Sequence, residues 1–523
     1  MKIFDDIDNV TVTAAICVGV LISLLIFHLK RLQMYKHAAK FDGPSCVPFV
    51  GNALLFFGST TAILKKMVEI INMHTSSMLR IWLGPELIII IQDPEGIKQV
   101  LTDAKVIDKS KPFDFVKPCL GNGLVTATGE VWRFHRRLLG PLFNTKIIES
   151  NVDKFAAHSK ILVKNMEKEV DGSEFQIEDY VAKWAMDIIC ESTLGSSLIE
   201  LGDPERRLVK SIHSLAEIGY KRLFKPWLYW GAIFYRSSLG KDFEEHRKFA
   251  HGIITKAIEK RKGVLLEKMR LNAEETPEKD KSSQEFGRES IMDYLIDVSL
   301  KNDKYSQTDI RNELLTMIVA GNESTGFTVS NALFLMANFP NVQEKVYREI
   351  VEIFGNDDLD EREIKTGDLS RLEYLERVIK ETLRLFPPLP FNARLITENL
   401  EIGGKILPKG CIWAVVTFEL HRNAKYWKNP LEFDPDRFLP DEVAKRHSHC
   451  WIPFSVGPRY CIGIRYAMIK MKMVLVTILH RYIVKRDKFL PISEIDIKAD
   501  FIAKTAVPLK LRIERRVPQA SNR

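Results

Sequence analysis

Apolar residues recur at three- and four-residue intervals through most of the chain beyond residue 50, and this pattern predicts amphipathic helices. Six segments show it most clearly: 151–169, 175–194, 244–269, 308–338, 342–354 and 372–385. Two other stretches, 78–91 and 400–416, hold short apolar runs with turn residues beside them, which is typical of strands. The chain is therefore predicted to be mainly α with a small β region.

A separate apolar run lies near the N-terminus. Residues 10–29 include no Asp, Glu, Lys or Arg, and a run of about twenty residues can cross a hydrocarbon core as a helix. Three aspartates precede the run, whereas Lys30, Arg31 and Lys36 follow it, so the positive-inside rule puts the rest of the chain in the cytosol. A buried core helix is the alternative. The predicted parts are a lumenal N-terminus (1–9), a transmembrane anchor (10–29), a basic linker containing prolines (30–50) and a globular body (51–523).

Composition and charge narrow the function classes. Of the 523 residues, 46% are hydrophobic and 28% are charged, which excludes a disordered or multi-span membrane chain. The net charge of +8 is modest and is not concentrated in a tail, so we expect no nucleic-acid partner. The seven cysteines are odd in number and lack C-x-x-C spacing, which argues against a disulfide framework or an iron–sulfur cluster. One cysteine is free to have a role of its own.

Two segments differ from their surroundings in composition. Residues 224–235 include six aromatic residues with basic residues around them, so they either pack in the core or dip into the headgroup region of a membrane. Residues 272–289 are polar and charged, which predicts a solvated loop between helices.

The residues with the clearest chemistry lie in the segment PFSVGPRYCIG, which ends at Gly463. An apolar helix is predicted directly after Cys461, and the helix N-terminus and nearby backbone N–H groups favour a thiolate there. Gly457 and Gly463 would let the backbone approach a flat cofactor, and Arg459 can pair with an acidic substituent on it. A thiolate in this setting is a suitable axial ligand for a metal. A buried structural cysteine is the alternative.

This segment resembles F-x-x-G-x-R-x-C-x-G, the haem-thiolate loop of the cytochromes P450. The resemblance implies the cytochrome P450 fold over the globular body, haem b as cofactor and Cys461 as the ligand of its iron. The sequence WRFHR resembles the family's W-x-x-x-R, which implies that Trp132 and Arg136 contact a haem propionate. Arg394 resembles a further propionate partner, beside Arg459.

An E-x-x-R pair precedes the cysteine loop. On its own, Glu381 with Arg384 one helical turn later is more often a surface ion pair than anything else. With Arg437 in the later sequence PDRF, it resembles the family's buried Glu–Arg–Arg lock. The resemblance implies a role in supporting the cysteine loop and none in the chemistry.

The sequence AGNEST, which begins at Ala320, resembles the family's A-G-x-[DE]-T-T within a long helix. The resemblance implies that Glu323 and Ser324 relay protons during oxygen activation. Serine replaces the usual threonine and rotates more freely, so we expect looser coupling of electrons to product. Thr325 can substitute only where the helix is locally distorted. Many relatives esterify haem through a glutamate at the position of Ala320, so non-covalent haem is predicted here.

The sequences around Glu381 and Cys461 are most similar to the animal family-four clan and its insect relatives. The resemblance implies a monooxygenase anchored in the endoplasmic reticulum membrane, with electrons from NADPH–cytochrome P450 reductase and with cytochrome b5 as an additional donor. A lipophilic substrate is implied: a fatty acid, a hormone-like lipid, an odorant or a xenobiotic. The segments expected to face it are 112–123, 224–235, the helix around Val319 and 387–392. Arg133 and Arg137 are expected to form a solvated basic helix face. The alternative is that these two arginines, with Lys470 and Lys472, dock an acidic redox partner.

Two rival functions remain open at this point. One keeps the fold but acts as an isomerase or dehydratase of oxidised lipids, and the other is a non-enzymatic haem sensor or lipophile-binding protein. Two local patterns are set aside. The sequence HSHC, ending at Cys450, lacks the spacing of a four-ligand metal site, and Gly121-Asn122-Gly123 lacks the third glycine of a dinucleotide-binding turn.

Overall fold

The computed structural model describes residues 9–195, 203–223, 225–275, 290–356, 359 and 362–516. Residues 1–8 of the predicted lumenal segment and 276–289 of the predicted polar loop lie outside the described residues. The helices of the described part are α1 Asn9–Lys30, α2 Leu32–Ala38, α3 Thr60–Met73, α4 Pro94–Thr102, α5 Lys117–Leu120, α6 Gly129–Leu139, α7 Thr145–Glu149, α8 Val152–Met166, α9 Ile177–Leu194, α10 Asp203–Leu223, α11 Gly231–Phe234, α12 Ser238–Glu275, α13 Ile291–Lys301, α14 Gln307–Asn338, α15 Pro340–Phe354, α16 Thr366–Ser370, α17 Glu373–Leu385, α18 Thr417–Leu420, α19 Pro440–Ala444 and α20 Ile464–Arg481.

Strands form small sheets beside the helices. Their bounds are β1 Met78–Leu83, β2 Glu86–Ile91, β3 Phe175–Gln176, β4 Phe391–Leu395, β5 Leu400–Ile402, β6 Lys405–Leu407, β7 Ile412–Val416, β8 Tyr482–Lys485, β9 Ile497–Lys498, β10 Lys504–Thr505 and β11 Lys510–Arg515. The largest sheet has the order β1-β2-β7-β4, in which β2 and β7 are parallel and the other pairs are antiparallel. A second sheet has the order β3-β11-β8.

The central element is α14, a helix of 32 residues. Ser306 and Asp309 form a capping box at its start, which satisfies N–H groups that the first turn leaves unpaired. The apolar residues of this helix are spread over all of its sides, so the helix has no continuous polar face. Most of its residues are buried, as expected for such a helix. It packs against α9, α12, α13, α17 and α20, and its middle therefore lies inside the molecule.

The predicted helices and strands are present. The six periodic segments correspond to α8, α9, α12, α14, α15 and α17, and the apolar segment after Cys461 is α20. The runs at 78–91 and 400–416 form β1 with β2 and β5 to β7. Strand β4 was not predicted, because Asn392 and Arg394 interrupt its apolar pattern.

The N-terminal helix differs from the others in its burial. Residues Thr11–Leu29 have a mean hydropathy of 2.5, and none of the side chains that the structure describes in this stretch is buried in the protein. The alternative of a buried core helix is therefore wrong. Arg31 follows it directly and donates to the carbonyl of Pro85, between β1 and β2.

Candidate active site

A cavity of about 1100 Å³ lies between α14 and the loop that carries Cys461. Gly321 and Ser324 line it on the α14 side, and Cys461 lines it on the opposite side. Most of its other lining residues are apolar, among them Val116, Leu120, Ile412, Phe501 and Ile502. The cavity thus brings a thiol, an alcohol and an apolar wall together.

The cysteine loop has a strained, tightly fitted backbone. Ser455 and Gly457 have φ angles of 57° and 71°, in the left-handed region. A Cβ on Gly457 would overlap the carbonyl oxygen of Leu101, so only glycine fits there. The loop closes on itself where the N–H of Cys461 donates to the carbonyl of Phe454 over 2.8 Å.

The surroundings of Cys461 differ from the sequence-based expectation. Burial raises the pKa of its thiol, whereas the backbone N–H of Gly463 and the charge of Arg136 lower it by less. The helix N-terminus was expected to favour the thiolate, and desolvation outweighs that effect. Because a coordinating metal deprotonates its thiol ligand, a bound metal would supply the missing stabilisation of the thiolate.

Three cations lie at the cavity wall without a salt-bridge partner among the described residues. Lys109, Arg394 and Arg459 all line the cavity, and none forms a salt bridge within the described part of the chain. Burial lowers the pKa of Arg394 to about 10 and that of Arg459 to about 9, in the latter case helped by Arg394. Burial, followed by the charges of both arginines, lowers the pKa of Lys109 well below its usual range. Such a cluster fits a group with several negative charges, as the two propionates of haem are.

Arg459 connects the cysteine loop to the segment 107–127. Its Nε donates to the carbonyl of Ile107 over 2.8 Å, Nη1 donates to Leu124 over 3.0 Å and Nη2 donates to Ala127. The guanidinium also stacks on the ring of Trp132 at 4.4 Å. Three of its five N–H groups are therefore used by the backbone, and two remain for an acidic group.

The other predicted cofactor contacts also reach the cavity. Trp132 and Arg136 line it from α6, and Arg136 lies 4.4 Å above the ring of Tyr460. Arg394 is oriented by Asn392, whose Oδ1 accepts from its Nη1 over 2.6 Å. Sequence reasoning missed Lys109, because nothing in its local sequence distinguishes it from a surface lysine.

The predicted proton-relay residues separate into two groups. Ser324 and Thr325 line the cavity, and each hydroxyl donates to the carbonyl four residues earlier, over 2.7 and 3.1 Å. Thr328 bonds in the same way to Ser324, and successive bonds of this kind distort a helix locally. Glu323 does not line the cavity, because its Oε1 lies 2.5 Å from Nδ1 of His213 on α10. Burial alone would raise the pKa of Glu323, but His213 and Lys504 hold it below its usual value.

Two predictions about the interior have clear structural counterparts. Ala320 lines the cavity with a methyl group, so no carboxylate at this position can form an ester with haem. Glu381 pairs with Arg384 over 2.7 Å with both side chains fully buried, and Arg437 lies 3.3 Å from the same carboxylate. The E-x-x-R is therefore a buried lock between α17 and the 435–438 segment.

Two of the residues predicted to dock a redox partner are in the core. Lys470 is fully buried on α20 and donates to the carbonyl of Ala185, and Lys472 is buried and pairs with Glu376 over 2.8 Å. The prediction was wrong for both lysines, because the helix that follows the cysteine packs on all sides. Arg133 and Arg137 are exposed on α6.

The two patterns set aside have structural roles. His447 pairs with Glu95, and the described residues contain no cluster of three or more metal-ligating side chains. Gly121 and Gly123 pack so tightly against α14 that a Cβ on either would overlap Asn312 or Thr316.

Comparisons with known proteins agree with the geometry. The family model for Cytochrome P450 matches residues 42–512. Cytochrome P450 4c3 of Drosophila melanogaster is 32% identical over 90% of this chain and 89% of its own length. Cytochrome P450 4V2 of Homo sapiens is 31% identical over 94% of each chain, and Cytochrome P450 4c21 of Blattella germanica is 31% identical over 97% of this chain and its whole length. The resemblance and the fold class inferred from the sequence are thus confirmed, and the chain belongs to the cytochrome P450 family, as a monooxygenase with non-covalently bound haem b.

Proposed function

We propose that Cys461 ligates the haem iron and that Lys109, Trp132, Arg136, Arg394 and Arg459 hold the haem propionates. The observation that carries this proposal is the cluster of three cations that form no salt bridge among the described residues, at the wall of the cavity that contains Cys461. The bound haem would supply the chemistry of oxygen insertion. The protein would supply the thiolate, the cations and a cavity that excludes water from the substrate.

We infer that Ser324 and Thr325 move protons at the cavity wall. Both hydroxyls reach the cavity, and each can exchange its carbonyl partner for an oxygen in the cavity by rotation about χ1. Glu323 would act from behind them, with His213 as its link toward solvent, since the side chain of His213 is one-third exposed.

The proposed substrate is lipophilic. The cavity walls toward the substrate include Phe113, Val116, Val319 and Leu389, which come from three of the four segments expected to face it. The fourth, 224–235, contributes no residue to the cavity wall among those described. Fatty acids, hormone-like lipids, odorants and xenobiotics all meet the requirement for an apolar molecule.

We propose that the electrons come from NADPH through NADPH–cytochrome P450 reductase, with cytochrome b5 as an additional donor. Arg133 and Arg137 remain the candidate docking residues, since both are exposed on the helix that carries Arg136. An acidic partner bound at this surface would lie near the edge of the haem that carries the propionates.

We further propose that residues 10–29 anchor the protein in the endoplasmic reticulum membrane, with 1–9 lumenal and the haem domain, 51–523, cytosolic after the 30–50 linker. A face of the haem domain supports this topology. Phe57 and Trp230 in this domain, and Phe49 at the end of the linker, are more than 60% exposed, which is unusual for such large apolar side chains. The carbonyl of Val50 accepts a hydrogen bond from the N–H of Gly84, in the turn between β1 and β2. Arg31 contacts the same turn, so the end of the linker and the residue after the anchor helix lie next to it.

The aromatic segment belongs to the same face. Burial and then the charge of Glu86, the first residue of β2, raise the pKa of Tyr229. Aromatic rings with basic neighbours are favoured at the headgroup level of a bilayer. The segment 224–235 would therefore touch the membrane next to the anchor.

The test of the haem site is the absorption spectrum of the reduced carbon-monoxide complex of the full-length protein. We expect the thiolate-type Soret band for which the family is named in the wild type, its loss in Cys461→Ser and its retention in Cys450→Ser, a buried cysteine outside the cavity. A thiolate-type band in Cys461→Ser would contradict the proposal. NADPH consumption linked to product, with reductase and a lipid panel, would then separate a monooxygenase from an isomerase or a sensor.

A further inference from the structure

The peptide groups of Leu124 are held by charged side chains from two sides of the cavity. The Leu124 N–H donates to Oε2 of Glu313 on α14 over 3.0 Å, and its carbonyl accepts from Nη1 of Arg459 over 3.0 Å. Arg459 precedes Cys461 by two residues in the cysteine loop. Leu124 therefore connects α14, which carries Ser324, to the loop that carries Cys461.

A histidine on a third element holds Glu313. Oε1 of Glu313 lies 2.6 Å from Nδ1 of His135, and both side chains are buried. Burial raises the pKa of Glu313, and the hydrogen bond to His135 opposes that rise. His135 lies on α6 between Trp132 and Arg136, which both line the cavity. The pair thus joins α14 to the helix that presents two of the proposed haem contacts.

The backbone of residues 121–127 approaches α14 closely enough for this contact. Gly121 has a φ of +59°, and a Cβ there would overlap the side chain of Asn312. A Cβ on Gly123 would overlap the Thr316 hydroxyl. Because both residues are glycines, the segment can lie directly against α14. The carboxylate of Glu313 therefore reaches the Leu124 N–H.

We propose that Glu313, paired with His135, is a positioning residue for the haem-thiolate site. By holding Leu124, Glu313 fixes the carbonyl that orients Arg459, and through Arg459 it fixes the loop that carries Cys461. This inference rests on the proposed function, since it takes the cavity between these groups as the haem site. Glu313 touches no reacting atom and acts through the backbone of Leu124.

The test compares full-length, haem-loaded Glu313→Leu with wild type, with haem release to excess apomyoglobin as the readout. We expect release to be about tenfold faster, the factor for losing a hydrogen bond to a charged group. The reduced carbon-monoxide complex should also lose part of its thiolate-type band. Glu313→Gln keeps an acceptor oxygen for Leu124, so its release rate should lie between those of wild type and Glu313→Leu.

The matched control is Asp293→Leu. It removes a buried carboxylate that pairs with Arg261 over 2.6 Å, and Asp293 is not among the residues that line the cavity. We expect a lower thermal stability and an unchanged release rate. Equal acceleration in Asp293→Leu, or unchanged release in Glu313→Leu, would overturn the proposal, since the role of Glu313 would then be general stability or none.

A second measurement covers the case in which Glu313→Leu does not fold. Hydrogen exchange of the 121–127 segment in the haem-loaded Glu313→Gln protein should be faster than in wild type, because a neutral acceptor holds the Leu124 N–H less strongly. Unchanged exchange there would also overturn the proposal. Failure of the proposed function is distinguishable, because the wild type itself would then lack the thiolate-type spectrum.

Discussion

Lys109 is the residue whose energetic role depends most directly on what fills the cavity. Its neighbours Arg394 and Arg459 repel it, and burial disfavours its charge, so it destabilises the protein as long as no anion is near. With propionates in place, the same charge becomes an attraction. A single side chain thus has opposite effects on the empty and the loaded protein.

Replacement of Lys109 by methionine tests these opposite effects. We expect Lys109→Met to melt at a higher temperature than wild type in the haem-free form and to bind haem about tenfold more weakly, because one buried charge-assisted contact is lost. Haem titration and calorimetry measure the two quantities. Lys105→Met, which removes an exposed lysine paired with Glu398, serves as the control and should change neither.

Lys470 predicts a pH dependence of stability. Burial lowers its pKa to about 7, whereas the unfolded chain has the ordinary value near 10.5. Between these two values the unfolded state binds a proton that the folded state does not, so stability falls as the pH is lowered from 10.5 to 7. We expect Lys470→Met to be more stable by about 1–4 kcal/mol at pH 7, as for buried charges replaced by apolar groups.

Urea unfolding at pH 7 and pH 10 measures this difference. The gain of Lys470→Met should shrink at the higher pH, where the folded and unfolded states both approach neutrality. An equal gain at both pH values would mean that packing, and not the charge, is responsible.

The serine at position 324 predicts how efficiently consumed NADPH is converted into product. Threonine at this position has a methyl group that restricts χ1, so Ser324→Thr should raise the fraction of NADPH recovered in product. Ser324→Ala should lower that fraction by about a hundredfold, the low end for loss of a general acid–base group. Product and NADPH are measured in the same reaction. An unchanged ratio in Ser324→Ala would assign the proton transfer to Thr325, which also lines the cavity.

Sequence reasoning located the site residues that carry motif signals and missed those that do not. Cys461, Trp132, Arg136, Arg394 and Arg459 all line the cavity, and the haem contacts that the resemblance implies for them stay predictions. Lys109 and Glu313 were not predicted because their roles come from contacts with distant parts of the chain. Lys470 was misassigned because a charged residue on a helix gives no local sign that the helix is buried on every face.

At the scale of elements, the Glu381 lock joins α17 to the 435–438 segment that leads toward the cysteine loop. Replacement of Glu381 by leucine leaves Arg384 buried without its carboxylate, with only carbonyl acceptors from His421, Pro430 and Glu432. We expect the free energy of unfolding to fall by about 3–5 kcal/mol, as for a buried ion pair that loses one partner.

Denaturant unfolding of the haem-loaded protein checks this value. Glu442→Leu is the control, since Glu442 is exposed and pairs with the exposed Lys445 over 2.6 Å. A loss below about 1 kcal/mol in Glu381→Leu would show that the lock behaves like a surface pair.

The periodicity of the chain predicted its long helices better than its strands. Helices α8, α9, α14 and α17 begin and end within a few residues of the predicted bounds, since their spacing is a local property. Strands β8 and β11 pair across 25 or more residues of intervening chain, as Val484 with Ile513. Pairing over such separations leaves no local signal, and β4 was hidden by the polar residues that it presents to the cavity.

At the scale of the whole molecule, the anchor and the exposed aromatic face predict two independent attachments to a membrane. Deletion of residues 1–29 should leave a protein that still binds vesicles containing anionic lipid, because the aromatic face remains. Further replacement of Trp227 and Trp230 by serine should weaken vesicle binding by about tenfold or more, since both rings are more than half exposed.

Vesicle co-sedimentation measures both steps. The control is Phe489→Ser in the shortened protein, because this ring is similarly exposed but lies outside the aromatic segment and packs beside Phe339. Equal loss of binding in the control would show that any exposed ring contributes. Complete loss after the deletion alone would leave the anchor as the sole attachment.

The cation cluster at the cavity wall has a consequence for the life of the protein in a cell. Binding to the folded state alone stabilises a protein by mass action, and here the haem-free chain also carries the repulsion of Lys109, Arg394 and Arg459. Newly made chains without haem will open more often and be degraded sooner by proteases. The rate of haem synthesis, and not only that of translation, should then set the abundance of this enzyme.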